Sequence, residues 1–202
     1  MSAAPRTDWI WIRHAPVQGQ EARYFGRLDV NAEPVHGAIA AGIARRLPPV
    51  AVWVGSPLIR ARMAALALRD GVDPIAIPDF SEQDYGLWQG RSHNDVFNAN
   101  RVLDWTNPAD IRPPEGESFA DVCVRVAAAI DRLTVHYAGH SIVALGHQTT
   151  VRAAIGHALG LAPATLMRVD VAPLSMTRLT HRNINGVSQW NVGGMNAEFG
   201  IT

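Results

Sequence analysis

The chain has 202 residues, of which 48% are hydrophobic and 18% charged, a length and balance that suit one globular domain over residues 1–202. Eighteen basic residues offset eighteen acidic ones, so no overall field attracts the protein to nucleic acid or to an acidic membrane, and neither is an expected partner. The single cysteine, Cys123, excludes an internal disulfide and a cysteine-rich metal site. The sequence shows neither a secretory signal pattern nor an apolar run of membrane-spanning length, so we expect a cytoplasmic protein.

The first apolar run predicts a buried strand that ends in two polar residues. Residues 8–14 carry four large apolar side chains, followed by Arg13 and His14, and Pro16 leaves no room for a helical period. Ligands bind at the carboxyl ends of parallel strands, so Arg13 and His14 are candidate site residues. After a loop, apolar residues at helical spacing predict a helix over residues 34–47.

A second continuous apolar run, residues 50–56, predicts a second buried strand. A helix over residues 58–69 follows it and carries Arg60 in its first turn. Residues 74–78 are a third candidate strand, flanked by prolines. Residues 82–90 have no clear period, yet they contain glycines, aromatic residues and several polar groups.

Residues 91–117 predict a helical excursion followed by a loop. Ser118 is a suitable N-cap for a long helix over residues 119–137, whose apolar positions mark one face. A third apolar run over residues 141–147 then ends in a histidine, His147, as the first run does.

The last part of the chain predicts a helix and a hairpin. Thr149 or Thr150 is the expected cap of the helix, and strands over residues 176–181 and 187–192 flank a turn signal at Asn185-Gly186. Strands that alternate with helices indicate an α/β fold. We therefore predict three layers, with a mostly parallel, doubly wound sheet, helices on both faces and the helical excursion as an addition.

Two strands that end in histidine, and a third that leads to an arginine, predict one crevice lined by Arg13, His14, Arg60 and His147. Guanidinium groups suit phosphate oxygens, and a helix N-terminus after His147 adds oriented N–H groups. Neighbouring arginines would keep a histidine neutral, so that it could attack phosphorus in line. A carboxylic acid would then supply the proton for the leaving oxygen.

Five segments carry motifs that resemble those of one family, in the same order. Residues 12–15 (IRHA) are similar to its Arg-His-Gly signature, residues 56–61 (SPLIRA) to its Ser-Pro-Leu-x-Arg-Ala segment and residues 82–90 (EQDYGLWQG) to its Glu-x-x-x-Gly-x-Trp-x-Gly segment. Residues 114–118 (PEGES) and 146–147 (GH) follow in the expected places. The chain thus resembles the histidine phosphatase superfamily, also called phosphoglycerate mutase-like, over nearly its whole length.

The resemblance implies a role for each matched residue. His14 would accept the phosphoryl group, while Arg13, Arg60 and His147 would bind it. Glu82 would donate a proton to the leaving group and later activate water. The family needs no metal ion or organic cofactor, so none is expected here, and the expected ligand is a small phosphorylated substrate or inorganic phosphate.

Several positions depart from the family pattern or leave an alternative open. Asp84 lies close enough in sequence to be the proton donor instead. Ala15 replaces the usual glycine after the nucleophile, and Gln20 stands where many members have an asparagine that contacts the substrate. Gln148 and Thr149 replace a common Gly-Gly pair, so we expect Gln148 to contact the substrate and the pair to narrow the mouth of the pocket.

The expected function is hydrolysis of a small phosphorylated metabolite through a phosphohistidine on His14. The compact length and the Trp88-Gln89-Gly90 segment resemble the small phosphatase branch that includes the α-ribazole phosphatases. Phosphoglycerate mutase-type transfer and protein phosphohistidine phosphatase activity are the enzymatic alternatives. A non-catalytic phosphate-binding regulatory module is the alternative outside enzymes, and a complete set of catalytic groups argues against it. The sequence leaves the oligomeric state open, a homodimer being one option.

Overall fold

A computed structural model describes residues 5–18 and 22–199, and its centre is a six-stranded sheet. The strands are β1 (Arg6–Arg13), β2 (Val52–Gly55), β3 (Ile75–Ala76), β4 (Ser141–Gly146), β5 (Met176–Ile184) and β6 (Val187–Ala197). Their order across the sheet is β3-β2-β4-β1-β5-β6. The pairs β3-β2, β2-β4 and β4-β1 are parallel, whereas β1-β5 and β5-β6 are antiparallel. The predicted mostly parallel sheet is therefore confirmed.

Helices cover both faces of this sheet. They are α1 (Gly37–Ala44), α2 (Ile59–Leu68), α3 (His93–Ala99), α4 (Phe119–His136), α5 (Gln148–Leu159) and α6 (Pro163–Leu166). Short 3-10 turns occupy Pro78–Phe80, Gly86–Trp88 and Pro108–Asp110. In the part of the chain that the structure describes, none of the helices is both long and apolar enough to cross a membrane.

The alternation of side chains along β1 separates two apolar cores. Trp9 and Trp11 point to one face, where they pack with residues of α4 and α5. Ile10 and Ile12 point to the other face, where they pack with residues of α1 and α2. Both faces of the strand are buried, so its sequence is continuously apolar. The prediction of a doubly wound sheet with helices on both faces is confirmed.

The elements differ from the sequence prediction mainly at their ends. The third strand spans only two exposed residues, since the prolines at positions 74 and 78 limit its pairing. The first helix begins at Gly37 rather than at residue 34, because the His36 side chain accepts a hydrogen bond from the Ala38 N–H (3.2 Å) and caps it there. The helix α6 has four residues and was not predicted.

The N-cap of α5 is His147, not Thr149 or Thr150 as predicted. His147 has an extended backbone, with φ −125° and ψ 175°, and is the single residue between the end of β4 and the start of α5. The Thr150 hydroxyl accepts a hydrogen bond from the His147 N–H at 2.8 Å. This short junction fixes the position of His147 at the carboxyl end of β4.

The predicted helical excursion and the predicted hairpin are both present. Helix α3 and the turn at Pro108–Asp110 lie within the excursion. Asn185 and Gly186 join β5 to β6 with φ values of 53° and 84°. Positive φ at both positions is the requirement of a type I′ turn, which the Asn-Gly pair satisfies with little strain.

Candidate active site

The register of two neighbouring parallel strands brings His14 and His147 together. Arg13 of β1 lies opposite Gly146 of β4, so each histidine is the first residue beyond its strand. The His14 N–H donates to the Gly146 carbonyl at 3.1 Å. The two imidazole rings are 5.0 Å apart between centroids, and the residues are 5% and 0% exposed. The carboxyl end of the sheet therefore holds a buried histidine pair, as the sequence predicts.

Arg60 reaches the same place from β2, which lies on the other side of β4. The chain turns at Ser56 into α2, and Arg60, in the first turn of that helix, is 1% exposed. Its Nη1 donates to the Leu28 carbonyl at 2.8 Å, and its Nη2 donates to the Gly26 carbonyl at 2.6 Å. The guanidinium group is thus fixed by the loop that precedes α1.

Arg13, the last residue of β1, is held by the segment that precedes β5. Its Nη1 donates to the Val171 carbonyl at 2.6 Å, and its buried Nε has no hydrogen-bond partner among the described residues. Burial lowers the pKa of Arg13, and the negative charge of Glu82 acts in the opposite direction. The arginine side chains remain cations at neutral pH, because their usual pKa lies far above it.

His14 is held in the neutral state with one ring nitrogen free. Burial lowers its pKa to about 3, and the charges of Arg60 and Arg13 add to this effect, while a hydrogen bond to the Ala15 carbonyl opposes it. The Nδ1 atom lies 2.5 Å from that carbonyl oxygen. Because a carbonyl can only accept, Nδ1 carries the proton and Nε2 carries the lone pair.

His147 is neutral for the same reasons. Burial lowers its pKa well below the usual value, and the positive charges of Arg60 and Arg13 contribute further. Both of its ring nitrogens are buried and have no hydrogen-bond partner in the described part of the chain. Buried polar atoms without partners are costly in the interior of a protein, so they indicate a place where a ligand oxygen binds.

Glu82, rather than Asp84, lines the same cavity as His14. The Glu82 Oε1 accepts hydrogen bonds from the Gln83 N–H (2.8 Å) and from the Thr149 hydroxyl, and its side chain lines the cavity described below. Asp84 is not among the described residues that line this cavity, and its Oδ1 accepts from the Gly86 N–H at 2.9 Å. Of the two carboxylates that the sequence left open, the geometry places Glu82 at the site.

The segment that carries Glu82 is fixed by Glu117, a residue to which the sequence analysis gave no role. Arg125 of α4 donates to both carboxylate oxygens of Glu117, at 2.9 and 2.8 Å, and the Asp84 N–H donates to one of them at 2.9 Å. Burial alone would raise the pKa of Glu117, but these hydrogen bonds outweigh it and lower the pKa. The ionised Glu117 therefore links the Glu82 segment to α4.

Four of these residues line one cavity of about 400 Å³, whereas His147, which was predicted to line it, is fully buried beside His14 and is not among the described lining residues. Arg13, His14, Arg60 and Glu82 form its inner end, and Gln148 lies on its wall as expected. The other lining residues are Pro16, Val17, Ala22, Arg23, Tyr24, Phe25, Gly26, Tyr85, His93 and Pro173. The remaining predicted substrate-binding residue, Gln20, lies outside the described residues.

The outer part of the cavity has an aromatic wall, formed by Tyr24, Phe25, Tyr85 and His93. The Tyr24 ring lies 4.7 Å from the Tyr85 ring and 4.4 Å from the His93 ring, between centroids. Burial raises the pKa of Tyr85 well above its usual value, and the negative charge of Glu82 raises it further, so the phenol stays neutral. A neutral aromatic surface beside the cationic inner end can pack against an apolar or planar group.

Two residues of α5 interact with Glu82, which the sequence analysis did not predict. Thr149 contacts Glu82, as described above, and does not line the cavity mouth as expected. Arg152 is 9% exposed, and its Nε donates to the Val169 carbonyl at 2.7 Å. Burial lowers its pKa, while Tyr85 and Glu82 act in the opposite direction. The i, i+3 spacing of Thr149 and Arg152 places them on one face of α5, a signal that the sequence did contain.

A second cavity, of about 440 Å³, opens near the amino end of β1. The charged groups on its lining already have partners: Arg6 pairs with Asp8 at 2.9 Å, Arg46 donates to the Gly42 carbonyl at 3.0 Å, and Arg178 donates to the Arg46 carbonyl at 2.6 Å. Its described lining residues include no histidine. The cavity at the carboxyl ends of the strands is therefore the candidate active site.

The structure thus places a buried histidine pair beside a cavity that is lined by two arginines and a carboxylate, the residue types that the sequence motifs bring together. The chain matches the histidine phosphatase superfamily (branch 1) over residues 9–192 and belongs to that family.

Similar proteins include a bifunctional protein of Mycobacterium tuberculosis, Rv2228c, which is 32% identical over 181 residues, or 84% of this chain and 50% of that protein. The chain thus spans about half the length of this relative. The mycobacterial glucosyl-3-phosphoglycerate phosphatase Rv2419c has the same fold, with a TM-score of 0.82, 22% identity and coverage of 96% and 100% of the two chains. A candidate alpha-ribazole-5'-P phosphatase of Escherichia coli aligns with a TM-score of 0.77 and 21% identity, over 97% and 99% of the chains.

Proposed function

We propose that the protein is a phosphomonoester hydrolase that forms a phosphohistidine on His14. The observation that carries this proposal is the buried pair of neutral histidines, 5.0 Å apart, with Arg13, Arg60 and Glu82 on the lining of one cavity. The two arginines favour a phosphate dianion. The unpartnered ring nitrogens of His147 provide a hydrogen-bond donor for one of its oxygens.

The reaction follows from the state of each group. The His14 Nε2 lone pair attacks phosphorus, and the bond from phosphorus to the ester oxygen breaks. The Glu82 carboxyl gives its proton to that oxygen, which leaves as an alcohol. Water then attacks the phosphohistidine, Glu82 takes a proton from it, the P–N bond breaks and phosphate departs. Arg13, Arg60 and His147 stabilise the charge on the equatorial oxygens in both steps.

A small metabolite with a ring near its phosphate is the substrate class that the cavity supports best. Beyond the inner end, Arg23 is the remaining basic side chain among the described lining residues, and its Nη1 already donates to the Gly90 carbonyl at 2.8 Å. The aromatic wall favours a planar or apolar alcohol over a small sugar acid with a second anionic group. A nucleoside-like phosphate such as α-ribazole phosphate therefore remains the leading candidate.

Substitution of the proposed nucleophile tests the reaction. We expect wild-type protein to hydrolyse p-nitrophenyl phosphate and His14→Ala to lower kcat/KM by more than about 10³-fold. His140→Ala is a matched control, because this exposed histidine also contacts a neighbouring carbonyl through Nδ1 (3.1 Å) but lies at the opposite end of β4. It should keep full activity. Quenched turnover should show phosphorus on His14 by mass spectrometry.

A substrate panel separates the alternatives. Phosphatase activity predicts a higher kcat/KM for benzyl phosphate and α-ribazole phosphate than for 3-phosphoglycerate. Isomerisation of 3-phosphoglycerate in the presence of its bisphosphate would indicate a mutase instead, and preferential dephosphorylation of a phosphohistidine peptide would indicate the protein phosphatase. Tight phosphate binding without turnover of any phosphoester would indicate a binding module.

A further inference from the structure

Thr149 lies where its hydroxyl can determine the orientation of the Glu82 carboxyl group. It is 5% exposed and lies in the first turn of α5, directly after Gln148. The Thr149 hydroxyl donates to the Glu82 Oε1, which also accepts from the Gln83 N–H at 2.8 Å. Two donors from different parts of the chain therefore bind the same carboxyl oxygen.

These two hydrogen bonds distinguish the two oxygens of Glu82. Within the described residues, Oε2 has no hydrogen-bond donor, whereas Oε1 is occupied by donors and cannot readily carry a proton as well. In the acid form the proton therefore belongs on Oε2. Because Glu82 lines the cavity beside His14, Oε2 is the oxygen that can meet a leaving group there.

The surrounding charges explain why such a constraint is needed. Arg13, Arg60 and Arg152 all interact electrostatically with Glu82. None of the ion pairs among the described residues involves Glu82, so hydrogen bonds hold its carboxyl group and no guanidinium does. Without the Thr149 hydroxyl, only the Gln83 N–H would hold the carboxyl group, and rotation towards an arginine would turn its proton away from the cavity.

We propose that Thr149 is a positioning residue, which holds Glu82 so that Oε2 presents the proton to the leaving alcohol. This inference rests on the proposed function, in which Glu82 is the general acid. It assigns to a threonine outside the cavity lining a part in protonating the leaving group, and not in binding phosphate. Its effect should therefore depend on how much the leaving group needs a proton.

Leaving groups of different basicity provide the test. The p-nitrophenolate ion departs with little need for protonation, whereas the alkoxide of benzyl phosphate must be protonated. We expect Thr149→Val to lower kcat/KM, which reports the steps up to departure of the leaving group, by about 10-fold or more for benzyl phosphate and by less than about 3-fold for p-nitrophenyl phosphate. Thr149→Ser keeps the hydroxyl and should restore most of the activity on benzyl phosphate.

Two further variants test whether the effect of Thr149→Val arises from its hydrogen bond to Glu82. Thr180→Val is a matched control, because the Thr180 hydroxyl also donates to a carboxylate, the Asp8 Oδ1 at 2.7 Å, away from the site. It should leave the ratio of the two kcat/KM values unchanged. Glu82→Gln should show the same dependence on the leaving group as Thr149→Val, and the double variant should be no slower than Glu82→Gln alone.

The outcomes distinguish this inference from the proposed function. Equal losses on both substrates in Thr149→Val, without rescue by Thr149→Ser, would show that Thr149 only packs against its neighbours. Unchanged kinetics of Thr149→Val would show that the hydrogen bond has no part in turnover. Either result overturns the inference while wild-type turnover upholds the proposed function. Absence of turnover by the wild-type protein would overturn both.

Discussion

His14 combines two properties that are rarely found together in an exposed histidine, a neutral ring and a fixed tautomer. Burial is the main cause of its low pKa, and the charges of Arg60 and Arg13, which favour the proposed binding of an anion, lower it further. The Ala15 carbonyl holds the Nδ1 proton, so a single hydrogen bond selects the nitrogen that can act as nucleophile. The chemistry proposed for this residue follows from its surroundings.

The titration of His14 is a direct measure of this environment. With a pKa of about 3, the imidazole should stay neutral in phosphate-free buffer at about pH 5, where an unperturbed histidine would be almost fully protonated. Nuclear magnetic resonance of ¹⁵N-labelled histidines, with His14 assigned by comparison with His14→Gln, provides the measurement. Protonation of His14 near about pH 6.5 would contradict the expected effect of burial and of the two arginines.

At the level of single residues, the sequence predicted the groups that lie at strand ends and missed those that depend on helix rotation. Arg13, His14 and His147 follow apolar runs, and parallel pairing brings such ends together. Thr149 and Arg152 enter the site because α5 turns one particular face towards Glu82. That rotation is set by how α5 packs on the sheet, and the packing is not encoded in the local pattern around either residue.

The elements near the site depend on a close backbone contact between two segments that lie far apart in sequence. Gly86 has φ +47°, and a Cβ atom at this position would lie 2.0 Å from the Pro114 carbonyl oxygen and 2.7 Å from the Glu115 carbonyl carbon. Glycine is therefore required both by its conformation and by the approach of the second segment. The contact keeps the turn after Glu82 against the start of α4.

Substitution of this glycine should separate the two segments. We expect Gly86→Ala to lower the free energy of unfolding by about 2 kcal/mol or more and also to reduce kcat/KM, because backbone atoms cannot move aside as side chains do. Gly37→Ala, at the start of α1, is the matched control: a Cβ there meets nothing within 4 Å, so its stability should be unchanged or slightly higher. Urea unfolding and steady-state kinetics measure both effects, and equal behaviour of the two variants would contradict this account.

Most helices and strands were predictable, because their apolar periods agree with their burial. Helix α4 has one apolar stripe and a Ser118 cap that bonds reciprocally with Asp121, so its start was evident. The ends of the short strand β3 and the presence of the helix α6 were not predictable, because segments of two and four residues are too short to show an apolar periodicity. The prediction of the fold class was still correct, because it depends on the central strands and not on these short elements.

For the whole molecule, two buried neutral histidines make stability depend on pH. Both have pKa values below the usual 6.5, so below that pH the unfolded chain binds protons that the folded chain excludes. Stability is therefore greatest above about pH 6.5 and falls as the pH is lowered, by up to about 1.4 kcal/mol per pH unit for each histidine. For His14 this loss extends towards its folded pKa of about 3.

Urea unfolding at several pH values measures this dependence. We expect the free energy of unfolding of wild-type protein to fall steadily between about pH 6.5 and pH 4.5, and His14→Asn to show a slope smaller by about 1.4 kcal/mol per pH unit. His140→Asn, which removes an exposed histidine, should keep the wild-type slope. A wild-type stability that does not change over this interval would contradict the assignment of both rings as neutral in the folded state.

Arg60 has a consequence for anyone who wishes to redesign the selectivity of this protein. Two of its N–H groups are committed to the carbonyls of Gly26 and Leu28, which end the loop that carries Tyr24 and Phe25. The side chain that we propose to bind the phosphate thus also anchors the loop that carries Tyr24 and Phe25. A replacement loop can carry new side chains at positions 22–25, but it must still place two main-chain carbonyl oxygens where Arg60 can donate to them. A loop that lacks these acceptors would no longer hold Arg60 in place, and we expect the catalytic activity to fall with the change in selectivity.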